Sequence, residues 1–350
     1  MKRILFVTGS MEKGGAERVI SILSDYYANL GWDVKILMLL NSKIGYEINP
    51  QVQIIDISPF RKGKLSSLKL VRETRKTIKN TNPDVIVAFM GPIALITALA
   101  NKGMKRRLIV SERIDPSMAH RKFAVRKLLN RVYAKSDCTV LQTRRAWNYF
   151  PASVRKNSVI IENPIRVQCY AKEDKSYRIV TAGRLTEQKN HKMLMNAFEK
   201  IHKTHPEYKL DIFGEGPLQN ELQKLIKEKE LQGSVTLAGS VSDLHNRMAD
   251  AEIFVLSSDY EGLSNALLEA MMMGLACIST DCAGSDEAIR NGENGLLVPI
   301  GDTQKLAQAM QTLIENEELR NRLAKAAMQT SEKYRVDNII QKWAEVIERT

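Results

Sequence analysis

Hydrophobic positions along the chain follow two alternating rhythms. Residues 4–7, 34–40, 52–57, 85–89, 108–110 and 139–141 are short apolar runs of strand length. Between them apolar residues recur at helical spacing, most plainly at Val19, Ile20, Leu23, Tyr26 and Tyr27 within residues 16–29. Residues 65–78 read as a basic amphipathic helix, and further helices are predicted after Pro92, Ala119 and Thr143. The longest apolar run, residues 85–100, is shorter than a membrane span and is interrupted by Gly91 and Pro92. It predicts a buried strand, a turn and a buried helix. Apolar strands alternating with helices imply βαβ units and a parallel sheet covered on both faces.

The rhythm stops near Asn163 and Pro164, crosses a polar, charged stretch to Ser176, and then restarts. Runs at 179–182, 210–213, 235–238, 253–256, 276–279 and 296–298 predict a second set of strands. Helices are predicted at 190–205, 217–230, 244–249 and 265–273, and residues 303–348 read as wholly helical. The expectation is an α/β chain of two doubly wound domains facing a cleft. Their bounds are 1–163 and 177–333, with a linker at 164–176 and a C-terminal segment at 334–350. In open sheets of this kind ligands bind beyond the carboxyl ends of the strands, so the loops there are the places to look for chemistry.

Composition narrows the class. The 350 residues are 44% hydrophobic and 26% charged, which suits two globular domains and excludes a disordered chain. Cys138, Cys169, Cys277 and Cys282 are scattered and form no CxxC pair, so reduced thiols in a cytoplasmic protein are expected, with no metal site. The three residues before the first apolar run are too few for a signal peptide. Charge is uneven. Residues 1–170 carry 30 Lys and Arg against 12 Asp and Glu, a balance of +18, whereas the remainder carry 22 against 28, a balance of −6. One half is therefore expected to meet an anion: nucleic acid, an anionic membrane surface or a phosphate-bearing substrate.

Four loops could carry chemistry. Residues 9–18 place Gly14 and Gly15 between the first strand and first helix, where backbone N–H groups can approach a phosphate at a helix N-terminus. The loop is neither GxGxxG nor a Walker A sequence, and it serves equally as a tight turn. After the first strand of the second half, Gly183 precedes Arg184, and Lys189 follows five residues later, so two cations straddle a helix start. Arginine can fork onto two phosphate oxygens while lysine adds a point charge. Gly214, Gly216 and Pro217 form a sharp turn, with Pro217 suited to the first helical position, and Gly239 to Val241 have a similar status. The fourth loop is the most specific: Glu261 and Glu269 stand eight apart, Glu261 in a loop and Glu269 a turn inside a helix starting near Asn265. Glu269 lies among Ala266, Leu267, Leu268, Ala270 and Met271, where a buried carboxylate needs partners.

In these residues the chain resembles the family 4 retaining glycosyltransferases of the GT-B fold, the glycosyl transferases group 1. The shared features are Gly14 to Arg18, Gly183-Arg184 with Lys189, Gly214 to Pro217, the Glu261–Glu269 pair, Ala283 to Glu287, and Asn294 to Pro299. Their order and spacing span nearly the whole chain. The resemblance implies two Rossmann-like domains, the N-terminal one binding acceptor and the C-terminal one nucleotide-sugar, with a last helix crossing back to the first. It implies transfer of a sugar from a nucleotide diphosphate, expected to be UDP, to a saccharide or polyisoprenoid-diphosphate-linked acceptor in cell-surface polysaccharide synthesis.

By the same resemblance Arg184 and Lys189 hold the donor diphosphate, Glu261 the donor sugar hydroxyls, and Glu269 the ribose. Arg184, Lys189 and Glu261 are the expected catalytic residues. Gly183, Gly214, Gly262, Leu263, Ser264 and Asn265 complete the donor site, Gly239 and Val241 line the base, and Gly15 closes over sugar and phosphate. Gly14, Arg18, Gly91 and Arg113 are expected on the acceptor side. Fixed cations stabilise charge developing on the leaving diphosphate, so neither a metal nor another cofactor is expected, and no DxD motif is present. Many relatives place a histidine after the strand that here is 108–110; this chain has Arg113 in that slot, which could contact an acceptor phosphate or pair with Glu112.

Arg121, Lys122, Arg126, Lys127, Arg131 and Lys135 share one helical stretch with an apolar stripe of Val125, Leu128, Leu129, Val132 and Tyr133. With residues 65–79 it is expected to rest on an anionic membrane, placing the protein peripherally on the inner face of the cell membrane. Ordinary helices with solvated basic faces would show the same pattern. A nucleic-acid-binding protein would account for the basic half, but no recognisable module and few aromatic residues support it, and none is expected as partner. A nucleotide-sugar epimerase or hydrolase would leave that basic half without a purpose.

Overall fold

The structure, a computed structural model, describes residues 1–12, 14–61, 66–119, 123–172 and 176–349. Lys13 of the glycine loop, Leu65 at the start of the expected basic helix, His120, Arg121 and Lys122, and residues 173–175 of the expected linker lie outside them. The chain divides into two compact units, Met1–Pro164 with Val336–Thr350, and Ile165–Arg335.

The first unit is built on β1 (Arg3–Thr8), β2 (Asp33–Met38), β3 (Gln53–Asp56), β4 (Val85–Phe89), β5 (Arg107–Ser111), β6 (Cys138–Leu141) and β7 (Ser158–Ile160). They form one parallel sheet in the order β3-β2-β1-β4-β5-β6-β7. Ile4 pairs with Val34 on one side and Val85 on the other, so the first strand is central. Its alternation fills two cores: Ile4 and Phe6 join Val19, Ile20 and Tyr27 on one face, and Leu5 and Val7 join Ile86, Leu129 and Tyr133 on the other. The strand β7 was not foreseen. It is only three residues long, half-buried and at the sheet edge, and its short apolar run, Val159 to Ile161, lies directly before the break at Asn163 and Pro164.

The helix Val336–Ile347 belongs to this unit. It buries Ile339, Trp343, Val346 and Ile347 in the same core as Phe6, and Trp343 stacks on Phe89 at 5.9 Å between ring centroids. Arg107 donates to the Ile347 and Val346 carbonyls at 2.7 and 2.6 Å, placing a cation where the helix dipole is negative. Truncating Trp343 to alanine would cost about 3–5 kcal/mol.

The second unit contains β8 (Arg178–Ala182), β9 (Lys209–Phe213), β10 (Val235–Gly239), β11 (Ile253–Leu256), β12 (Ala276–Thr280) and β13 (Leu296–Val298), parallel throughout in the order β10-β9-β8-β11-β12-β13. Ile179 faces one core and Val180 and Ala182 the other. The segment read as a linker is tied to this unit: Ile165, Ala171, Lys172 and Ser176 donate their amides to the carbonyls of Tyr334, Met273, Ala249 and Asp250. The C-terminal stretch is not one helix. Asn316 ends Thr303–Glu315, and its side chain caps the next helix, Glu317–Ser331, by accepting from Leu319 N.

Candidate functional site

In the second unit the loops after β8 and β11 are laced together at adjacent strand ends. Asp259 N donates to the Gln188 carbonyl at 2.8 Å, Gln188 Nε2 to the Tyr260 carbonyl at 2.8 Å, and Ser257 Oγ to the Lys189 carbonyl at 2.8 Å. Asn190 works in both directions. Its Oδ1 caps the helix His191–Thr204 by accepting from Met193 N, and its Nδ2 donates to Asp259 Oδ1 at 2.8 Å. It holds a left-handed conformation at φ +45°, which asparagine tolerates better than most residues.

Within this lacing Lys189 Nζ donates to Glu261 Oε1 at 2.5 Å, and Ser258 Oγ donates to the same oxygen at 2.6 Å. Glu261 is buried at 8% exposure, so these two donors compensate the loss of water. Gly183 lies against the Lys189 stem, where an added Cβ would come 3.0 Å from Cε. Arg184 differs from Lys189: it is exposed. The two expected diphosphate cations therefore have unlike surroundings, one held by a carboxylate and one in solvent.

The turn after β9 needs its glycines. At Gly214, φ is +138° and an added Cβ would sit 2.0 Å from the Gly183 carbonyl oxygen; at Gly216 it would sit 2.4 Å from that of Leu185. This approach lets Leu185 N reach the Glu215 carbonyl and Gly214 N the Gly239 carbonyl. Pro217 lies in the turn rather than at the first helical position, since the helix is Gln219–Glu228. Gly239 ends β10, Ser240 N donates to Glu215 Oε1 at 3.4 Å, and Val241 is half-buried.

After β11 come Gly262, Leu263 and Ser264, which leads into the helix Asn265–Met273 and caps it by accepting from Leu267 N. The helix start is the expected one. Glu269 is 5% exposed, and His245 Nε2 lies 3.4 Å from its Oε2, the kind of partner its apolar neighbours demanded. His245, Gln188, Asn190, Ser257 and Ser258 were not singled out from the sequence. Ser257 and Ser258 stood in a loop already marked, whereas nothing local distinguishes His245 from the other four histidines.

In the first unit Gly14 precedes the helix Gly15–Asn29, and the Tyr46 hydroxyl both accepts from its N–H and donates to its carbonyl. Arg18 N donates to the Gly14 carbonyl. Gly91 opens the helix Gly91–Asn101, expected as buried but exposed at Pro92 and Leu99, directly after Met90 at φ +74°. Arg113 is 7% exposed. Its Nε donates to Ser111 Oγ at 2.8 Å, and its Nη1 reaches the Ile161 carbonyl and Asn163 Oδ1 at 3.2 Å each. The guanidinium lies 5.3 Å from the Trp343 ring and 5.8 Å from Phe89. Burial pulls its pKa down to about 9, which still leaves it charged at neutral pH. Glu112 accepts from the Arg113 amide and, through Oε2, from the Tyr133 hydroxyl at 2.7 Å.

The basic helix is Phe123–Lys135. Its expected apolar stripe is split: Leu129 and Tyr133 are buried, but Val125 and Leu128 are 40% and 41% exposed beside Phe123 at 68%. Arg126, Lys127, Asn130, Arg131, Lys135 and Ser153 line a groove of about 560 Å³. Among the described residues no group of three His, Cys, Asp or Glu could hold a metal ion, and no helix is long and apolar enough to cross a membrane.

Residues 166–330 match the family described as Glycosyl transferases group 1, and residues 14–142 match Glycosyl transferase 4-like. A Campylobacter jejuni enzyme, N-acetylgalactosamine-N,N'-diacetylbacillosaminyl-diphospho-undecaprenol 4-alpha-N-acetylgalactosaminyltransferase, is 31% identical over 91% of this chain and 92% of its own. The chain belongs to the group 1 glycosyl transferases. Another relative in the family is the amylovoran biosynthesis glycosyltransferase AmsD of Erwinia amylovora, 29% identical over 99% of each chain. Anabaena HepE in complex with UDP superposes with a TM-score of 0.84 at 19% identity, covering 100% of both chains. Sucrose-phosphate synthase from Thermosynechococcus elongatus does so at 0.86 and 18% identity, covering 100% of this chain and 99% of that one. The two parallel-sheet units are thus those of a GT-B glycosyltransferase.

Proposed function

We propose that this glycosyltransferase moves a sugar from a UDP-sugar to a polyisoprenoid-diphosphate-linked saccharide at an anionic membrane surface, retaining the anomeric configuration and using no metal. The observation that carries the donor half is the buried Lys189–Glu261–Ser258 cluster at the carboxyl ends of β8 and β11. Lys189 and the solvent-facing Arg184 would meet the diphosphate, and Glu261 would accept from hydroxyls of the donor sugar. Glu269 would hold the ribose, Asn265 and the amides after Ser264 the phosphate, and Gly239 and Val241 the base. The acceptor half is supported by the C. jejuni relative, whose name specifies a diphospho-undecaprenol-linked substrate.

The chemistry follows from charge. Cleaving the donor bond builds negative charge on the departing diphosphate and positive character on the sugar ring. A lysine fixed by packing and a carboxylate stabilises the first more in the transition state than in the ground state. The acceptor proton would pass to the departing phosphate oxygen on the same face, so no side-chain base is assigned. Gly14, Arg18, Gly91 and Arg113 would serve the acceptor.

The test is a transfer assay with a panel of UDP- and GDP-sugars and a polyisoprenoid-diphosphate-linked disaccharide, with and without excess EDTA. Product formation from a UDP-sugar, unaffected by the chelator and with the donor's anomeric configuration, is expected. Activity abolished by EDTA and restored by magnesium or manganese would overturn the metal-free reading, and exclusive use of GDP-sugars would overturn the choice of donor.

A further inference from the structure

Glu269 is a carboxylate placed among apolar side chains, and a histidine from another element of the same unit stands beside it. His245, 7% exposed on the short helix Leu244–Met248, approaches Glu269 Oε2 through Nε2 at 3.4 Å. The opposite ring nitrogen is also engaged: the backbone N–H of Gln168 donates to His245 Nδ1 at 3.1 Å. An amide N–H can only donate, so Nδ1 must present its lone pair, and the proton of the neutral ring resides on Nε2. That nitrogen is the ring atom nearest the carboxylate, 3.4 Å from Oε2. The Gln168 N–H thus fixes one tautomer of His245, the way a backbone group orients a functional histidine elsewhere.

We infer that His245 is a positioning residue that orients the Glu269 carboxylate toward the two ribose hydroxyls of the donor nucleotide. This rests on the reading of Glu269 as the ribose contact. On this inference Nε2–H, 3.4 Å from Oε2, biases the carboxylate toward one direction before the nucleotide arrives. The consequence is specific to the sugar of the nucleotide: His245 should matter for ligands bearing ribose hydroxyls and hardly at all for those lacking them.

The experiment compares the dissociation constants of UDP and 2′,3′-dideoxy-UDP on the full chain by isothermal titration calorimetry. The wild type should prefer UDP by about tenfold or more, as expected for hydrogen bonds to a charged group. Glu269→Gln should reduce that preference strongly. His245→Leu should bring it within about threefold, whereas His245→Gln, whose amide can donate where Nε2 does, should keep most of it. His245→Asn serves if the leucine variant does not fold: it can still accept from Gln168 but is too short to reach Glu269, and it should behave like leucine. A role in packing alone would weaken both ligands in parallel and leave their ratio unchanged. A wild-type preference that survives in the folded Leu or Asn variant, with Glu269→Gln collapsing it, overturns the role of His245. No preference in the wild type, or one untouched by Glu269→Gln, overturns the ribose reading itself.

Discussion

Lys189 Nζ lies 2.5 Å from Glu261 Oε1, with the two side chains 17% and 10% exposed. The pair ties β8's loop to β11's loop and gives each residue two duties, one in the fold and one toward a ligand. Lys189→Ala and Glu261→Ala should each lower the transfer rate by about a hundredfold or more if they act on developing charge. Each should also lower stability by about 1–3 kcal/mol, because the surviving partner is left in a poorly hydrated site. The double variant should be less damaged than the sum of the singles. Initial rates and urea denaturation of the three proteins check this, and wild-type turnover in either single variant would show the charge cluster to be misplaced.

Gly284 supplies a backbone test. It precedes the short helix Ser285–Ala288 at φ +89°, and a Cβ there would fall 1.6 Å from the Gly262 carbonyl oxygen. Gly262 directly follows Glu261, so Gly284→Ala should strain the very loop that carries the carboxylate. A loss of at least about 1–3 kcal/mol is expected from the backbone conformation alone. Activity should fall further than the fraction unfolded explains. Thermal unfolding and kcat/KM measured together decide it; an alanine variant as stable and active as the wild type would mean that the close approach is not maintained in solution.

Much of this was legible from residue pattern. Every strand of the second unit coincides with an expected one, and the start of the Asn265–Met273 helix is also the expected one because Ser264 caps it and Gly274 ends it at φ +85°. Glu269 announced its need for a partner through its apolar neighbours. The partner's identity did not show, because His245 is 24 positions upstream and only the fold brings it across. Val125 and Leu128 have the spacing of a buried stripe yet face outward, since helical periodicity marks a face without saying whether protein or something else covers it. The 164–176 segment reads as a linker because its polar side chains do not show that the amides of Ile165, Ala171, Lys172 and Ser176 bind the second unit.

His191 gives the protein a pH-dependent stability. It opens the helix His191–Thr204 at 2% exposure, and among the described residues its Nδ1 has no hydrogen-bond partner. Burial, with Lys189 nearby, pushes its pKa down to about 4 from 6.5. The unfolded chain therefore takes up a proton near pH 6.5 that the folded chain refuses until about pH 4. This contribution is fully present above pH 6.5 and is lost as pH falls through that window, amounting to about 2 kcal/mol at pH 5. His191→Asn should show a smaller loss between pH 7 and pH 5 than the wild type, whatever its absolute stability. Equal losses in chemical denaturation at the two pH values would mean that His191 titrates normally in the fold.

The membrane reading turns on the Phe123–Lys135 helix. A solvated basic face needs no hydrophobic tip, but here Phe123, Val125 and Leu128 are exposed beside Arg126, Lys127, Arg131 and Lys135. Apolar side chains that can enter the acyl boundary, flanked by cations that stay with lipid phosphates, make the pattern of an interfacial helix. Each cation near an anionic surface contributes about 1 kcal/mol, which salt screens, whereas the apolar contribution is insensitive to salt. Co-sedimentation should therefore show strong binding to vesicles containing phosphatidylglycerol, weak binding to pure phosphatidylcholine, and a decline between 50 mM and 500 mM salt (on the order of tenfold for a few screened charges). Charge reversal at Arg126, Lys127 and Arg131 should remove the preference for anionic lipid, and Phe123→Ser with Leu128→Ser should leave a residual binding abolished by salt. Equal binding of the wild type to neutral and anionic vesicles at low salt would place the contact with the acceptor's lipid elsewhere on the protein.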